Sequence, residues 1–237
     1  MGRLSRLLGK LYRSYGFCWD LKSISQAEAM ASIAQTRDVD EFWHSGKQIA
    51  AHLARYMARD STVLDFGSGI GRVAKFVAPH CRELWCVDVS SRMLSIASSA
   101  LRGLENVHFV RTKGRRIPLG DEKFDFAYSI LTFQHMEKED VYAALREIWR
   151  VLKIGALAYF SFPNFLSDEY FEGFLRNVEN PDMSPIRLRL YSPKEVEKIL
   201  ASLGFKVLSF WNPNSILKEP TEITPLVEKE RFQTNRS

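Results

Sequence analysis

The chain has 237 residues, 46% of them hydrophobic and 26% charged, a balance that can bury the core of one large domain and still present a wetted surface. No apolar run approaches the roughly 20 residues of a membrane span and no signal-peptide pattern opens the sequence, so the expected setting is cytoplasmic. The net charge of +5 would suit an anionic partner without selecting one, and Cys18, Cys81 and Cys86 show neither metal-ligand nor disulfide-framework spacing.

Residues 1–39 read as a helical extension. Leu4, Leu7, Leu8, Leu11, Tyr12 and Tyr15 recur at helical spacing, with Arg3, Arg6, Lys10 and Arg13 between them. A helix this short is marginal in water, so it must dock either on its own domain or, through residues 3–15, on a membrane surface. The main domain is expected over 40–212. It starts with a helix from Asp40 to Arg59, after which strand-like and helical runs alternate. Thr62 to Phe66 is a strand followed by a helix to Ala78; Glu83 to Val87 is a strand followed by a helix to Leu101; Val107 to Val110 is a third strand. Phe124 to Ile130 is a fourth, Lys138 to Leu152 a helix, and Ala156 to Phe162 a fifth strand. Strands separated by helices of this length imply an α/β fold with a doubly wound, mostly parallel sheet.

Residues 163–190 interrupt the alternation with Phe165, Tyr170, Phe171, Phe174 and several prolines, and read as an inserted lid. A helix from Pro193 to Leu203 follows, with Ser192 at its N-cap and Glu195 three residues on, and then a strand from Phe205 to Phe210. The tail, 213–237, is polar and proline-broken. Its only strand candidate, Ile223 to Val227, contains Pro225.

The chemistry concentrates after the first strand, where Asp65 is followed by Gly67, Ser68, Gly69 and Gly71. Glycines between a buried strand and a helix let a ligand approach bare backbone. A dinucleotide fingerprint would place its third glycine where Arg72 stands, so the spacing is Gly-x-Gly-x-Gly instead. At the end of the second strand, Asp88 precedes Val89 and Ser90. One ionised carboxylate can accept two hydroxyl hydrogen bonds, although Asp88 also reads as an acid at the start of the next helix.

This run resembles the first motif of the class I, Rossmann-like S-adenosylmethionine-dependent methyltransferases. The likeness continues through Phe124 to Ser129, Leu152 to Gly155 and Leu203 to Phe205, covering nearly all of residues 42–210. The resemblance implies a sheet of about seven strands and S-adenosyl-L-methionine as cofactor. It implies that Asp65, Gly67, Ser68, Gly69 and Gly71 lie against the cofactor's amino-acid portion and ribose, that Asp88, with Val89 beside it, holds the ribose hydroxyls, and that Ser129 ends the fourth strand at the same site. Many relatives carry Gly-Asp-Ala where this chain has Thr112-Lys113-Gly114, and a lysine side chain cannot accept from an adenine amino group. Backbone groups of Lys113 and Gly114 are therefore the expected adenine contacts.

Methyl transfer needs the acceptor in line behind the methyl carbon, and a hydroxyl or protonated amine must also lose a proton. His135, in the run Leu131 to His135 after the fourth strand, is the candidate general base, with packing or capping of the next helix as the competing reading. Phe133 is either pocket wall or core. His44, His52, His80 and His108 lie apart, and no metal is expected. Arg111 to Arg116, with Arg187 and Arg189, form either a solvated basic face or an attraction for an anionic acceptor. No recognised nucleic-acid module accompanies these charges. The expected function is methyl transfer to an oxygen or nitrogen of a small molecule, lipid or glycan. The alternative is a degenerate methyltransferase fold that binds cofactor or a protein partner without turnover.

Overall fold

The computed structural model describes residues 14–210 and 221–230, so the expected basic helix from Leu4 lies outside the described residues except at its end, where Ser14 is extended and Tyr15 begins a helix. The strands are β1 (Thr62–Phe66), β2 (Glu83–Asp88), β3 (Val107–Arg111), β4 (Phe124–Ser129), β5 (Leu152–Phe160), β6 (Phe162–Pro163), β7 (Phe205–Ser209), β8 (Glu222–Ile223) and β9 (Leu226–Lys229). The helices are α1 (Tyr15–Lys22), α2 (Gln26–Ala34), α3 (Val39–Leu53), α4 (Ala74–Val77), α5 (Ser91–Ala100), α6 (Lys138–Val151), α7 (Asp168–Glu179) and α8 (Pro193–Ser202).

Seven strands form one sheet in the order β3-β2-β1-β4-β5-β9-β7. From β3 to β5 all pairings are parallel, and β9 runs antiparallel to both of its neighbours. All residues of β1 are buried. Strand side chains alternate between faces, so Leu64 and Phe66 join one core with Ile148 of α6 and Leu200 of α8, while Val63 joins another with Leu53 of α3 and Val77 of α4. Strand order reverses between β1 and β4, which opens a crevice at their carboxyl ends.

The tail corrects the sequence expectation. Pro225 lacks an N–H and sits between two pairings instead of inside one strand. β8 pairs with β6, and the chain then enters the large sheet as β9, completing seven strands. Lys229, 2% exposed, ends β9 with its ammonium donating to Leu152 O at 2.6 Å over the Trp149 ring. β5 also starts four residues earlier than expected, at Leu152, and stops at Phe160. Within 163–190, the segment expected to form a lid, α7 buries none of its residues.

Candidate functional site

The turn leaving β1 is built from left-handed glycines, with φ of 78° at Gly67, 55° at Gly69 and 83° at Gly71. Gly67 and Ser68 N–H groups donate to Val87 O at 2.7 and 3.2 Å, folding the turn against β2. Asp88, at the end of β2, is buried and accepts from Gly69 N at 2.9 Å through Oδ2 and from Ser90 N at 2.8 Å through Oδ1. Each oxygen keeps lone-pair capacity for a further donor. Burial raises the Asp88 pKa and the backbone donors oppose that rise. Asp65 is pushed up to about 7, first by burial and then by the neighbouring Asp88 charge, against a 2.9 Å hydrogen bond from Tyr128 OH and the charge of Arg72.

These groups line one cavity of about 900 Å³, mouth included, at the carboxyl ends of β1, β2 and β4. Of the expected residues, Asp65, Gly67, Ser68, Gly69, Asp88, Val89, Gly114 and His135 line it. Gly71, Lys113 and Ser129 are not among the lining residues. A Cβ at Gly71 would meet Leu101 and Ala97 on the α5 side, which is why a glycine is needed there. Lys113 is exposed. Ser129 is fully buried and donates to Phe66 O at 2.8 Å, tying β4 to β1. Thr112 takes part in place of Lys113: its Oγ1 donates to Arg116 O and accepts from Gly114 N, closing the loop. Phe133 packs on Phe66, Phe160 and Phe162 in the core. In the basic loop, Arg115 pairs with Asp140 and Arg111 donates to Val89 O.

Sequence reasoning missed the roof. Tyr15 and Trp19 of α1 and Ile33 of α2 all face the cavity. Gly16 lets α1 approach Val89 closely, since a Cβ there would sit 2.9 Å from Val89 O. Asp20 accepts from Ser90 Oγ and, at 3.1 Å, from Arg92 N. Tyr15 OH accepts from Glu137 N at 2.9 Å and donates to Asp140 at 2.6 Å. The available signal was the four-residue spacing of Tyr15 and Trp19, which puts two aromatics on one helix face. Arg72 was also overlooked. Its guanidinium is buried at the cavity, donates to Ser45 Oγ at 3.0 Å, leaves Nε without a partner and is lowered to about 10 by burial.

His135 stands at the far end. Nδ1 lies 2.8 Å from Ile186 O, which assigns the proton to that nitrogen, and Nε2 then accepts from Gln134 Nε2 at 3.1 Å. Its ring meets Trp19 edge-on at 5.0 Å. Burial is the main cause that lowers its pKa to about 4. The expected base therefore has both nitrogens engaged and little affinity for a proton.

A family profile described as a methyltransferase domain matches residues 63–155, the segment carrying the glycine turn, Asp88 and His135. The chain thus carries a methyltransferase-domain match over those residues and has the class I methyltransferase fold. Among its relatives is the uncharacterized methyltransferase YcgJ of Bacillus subtilis, 37% identical over 93 residues, which are 38% of this chain and 36% of that protein. A malonyl-[acyl-carrier protein] O-methyltransferase of a Marinomonas species is 33% identical over 104 residues, 42% of this chain and 37% of the relative. These matches thus span well under half of the relatives' lengths. The crystal structure of YcgJ superposes with a TM-score of 0.59 at 26% identity, covering 71% of this chain and 72% of that one. Magnesium protoporphyrin IX methyltransferase of Synechocystis, solved with bound SAH, superposes with a TM-score of 0.66 at 16% identity over 95% of this chain and 100% of the other, and shares the fold. Among the described residues no helix is long and apolar enough to cross a membrane, and no cluster of His, Cys, Asp or Glu could hold a metal.

Proposed function

We propose that the protein binds S-adenosylmethionine in the cavity over β1, β2 and β4 and transfers its methyl group to a small-molecule, lipid or glycan acceptor at the His135 end. The observation that carries this reading is the Asp88 carboxylate. It is held by Gly69 and Ser90 backbone donors at the cavity wall, with lone pairs left for a pair of ribose hydroxyls. The glycine turn offers close backbone approach for the rest of the nucleoside and its amino-acid arm. Arg72, with Nε unpartnered at the cavity, suits that arm's carboxylate. Trp19 and Tyr15 exclude water from above.

The bound sulfonium would supply an electrophilic methyl carbon. The chain's own part is positioning and desolvation, which can lower such a barrier by roughly 7–11 kcal/mol in favourable cases. Names among the relatives, including O-methyltransferases acting on malonyl-[acyl-carrier protein], support methyl transfer as the activity. Calorimetry with S-adenosylhomocysteine tests the binding; no uptake by folded protein would end this reading. Labelled S-adenosylmethionine with cell extract tests turnover. Binding without a labelled product would favour the degenerate, non-catalytic alternative.

A further inference from the structure

A second polar cluster lies behind the His135 end of the cavity, and cofactor binding leaves it unused. Gln134 Oε1, Arg189 Nε and Tyr191 OH are buried without hydrogen-bond partners, on residues 8%, 7% and 0% exposed. Buried polar groups are normally satisfied, so these three leave two donors and an acceptor open to an added polar group.

The cluster is joined to the cavity wall from two sides. Arg189 N donates to Gln134 O at 2.8 Å, and the Gln134 amide meets cavity-lining His135 at 3.1 Å. Through its guanidinium Arg189 pairs with Glu137, whose N–H donates to cavity-lining Tyr15. The charge of Arg189 is felt at Tyr15, His135 and Tyr191 alike. Arg189 Nε–H and Tyr191 O–H are donors, which favours an oxyanion; Gln134 Oε1, an acceptor, suits an N–H or O–H elsewhere on the same molecule.

Resting on the methyl-transfer reading above, we propose that the acceptor is a carboxylate, held from the lid side by Arg189 and Tyr191 and methylated on the oxygen turned toward the cavity. The carboxylate oxygen forms the new bond to the methyl carbon as the carbon–sulfur bond of the sulfonium donor breaks. The electron pair stays on sulfur, and the products are a thioether and a neutral methyl ester. No proton is released, so no general base is required. This matches His135, whose two ring nitrogens are both engaged and whose proton affinity burial has weakened. A hydroxyl or ammonium acceptor would need a base, and His135, the candidate among the described residues at this end of the cavity, has both ring nitrogens engaged.

The test has two arms on the full chain. In the first, labelled S-adenosylmethionine is incubated with the protein and a small-molecule extract, and the product is treated with mild alkali. A carboxyl ester releases its label as methanol; an alkali-stable ether or methylamine would overturn the assignment. In the second, protein saturated with S-adenosylhomocysteine is titrated with benzoate, benzamide and phenyl phosphate. Benzoate should bind about tenfold tighter than either analogue, and Arg189→Met should erase that preference while leaving S-adenosylhomocysteine affinity within about twofold. No preference for benzoate, stronger binding of phenyl phosphate, or a preference that survives in Arg189→Met would each sink the proposal. Should Arg189→Met not fold, Tyr191→Phe must reduce the same preference. Failure to take up S-adenosylhomocysteine at all would instead strike the methyl-transfer reading beneath it.

Discussion

The Thr132 side chain occupies the space that a Cβ on Gly67 would take, so the loop after β4 is keyed into the turn after β1. Thr132 Oγ1 lies 3.4 Å from both Phe66 O and Gly67 O. Both residues line the cavity, and a change at one must be felt at the other. Gly67→Ala therefore meets a left-handed φ of 78° and a steric overlap together. Gly103, with φ of 92° and nothing within 4 Å of a built Cβ, meets the backbone penalty alone. Chemical denaturation should show a loss of about 1–2 kcal/mol for Gly103→Ala and a clearly larger one for Gly67→Ala. Only Gly67→Ala should also abolish S-adenosylhomocysteine binding. Equal losses in the two variants would mean that Thr132 yields freely.

Asp88→Asn keeps the shape of the side chain but turns one acceptor into an N–H donor facing either Gly69 N–H or Ser90 N–H. The conflict and the lost charge should weaken S-adenosylhomocysteine binding by about tenfold or more in calorimetry. Asp38, which caps α3 by accepting from Glu41 N at 2.9 Å, is the contrasting site. Asp38→Ala should cost about 1 kcal/mol of stability without changing affinity. If the two variants bind alike, Asp88 is a structural acid only.

Glu222 lies 4% exposed in β8, accepts from Tyr170 OH at 2.7 Å and is pushed up to about 7, chiefly by burial. A carboxyl whose folded pKa is raised favours the folded state while protonated. Its contribution is complete below about pH 4.5 and is lost as pH rises through about 7. Relative to Glu222→Gln, the unaltered chain should thus lose up to about 3 kcal/mol of stability across that window. Parallel stability curves in urea titrations at successive pH values would show that Glu222 titrates normally.

The sheet was legible because β1, β2 and β4 are short apolar runs and the helices between them are strongly periodic. The Gly67–Gly71 turn and Asp88 were legible for a different reason: close approach to a nucleoside fixes residue types at fixed spacing. What failed was anything decided by facing direction or distant contact. Tyr128 faces the cavity while its neighbour Ser129 is sealed against Phe66, because strand side chains alternate, and adjacency to the motif suggested the wrong one. The engagement of His135 Nδ1 depends on Ile186 O, 51 residues away in sequence, its weak proton affinity comes from burial, and β9 was hidden by Pro225 and by a lysine buried in a strand. Tyr15 and Trp19 carry no motif at all, and only tertiary packing brings them over the cavity.

Tyr15 gives the roof its most directed fastening. Its hydroxyl takes the Glu137 N–H at the start of α6 and gives its own proton to Asp140, and burial with the Asp140 contact pushes its pKa up to about 12. Tyr15→Phe leaves the ring in place but strands the Glu137 donor and removes one of the donors to Asp140, which keeps its pairing with Arg115. The rest of α1 remains held by Asp20 on Ser90 and Arg92 and by Trp19 against His135, so the helix should stay folded and open more often. Stability should fall by about 1–2 kcal/mol. Because α1 covers the cavity, the larger effect should be kinetic: stopped-flow release of S-adenosylhomocysteine should quicken about tenfold, with association slowed far less. An unchanged release rate would mean that the ligand leaves by a route that does not pass α1.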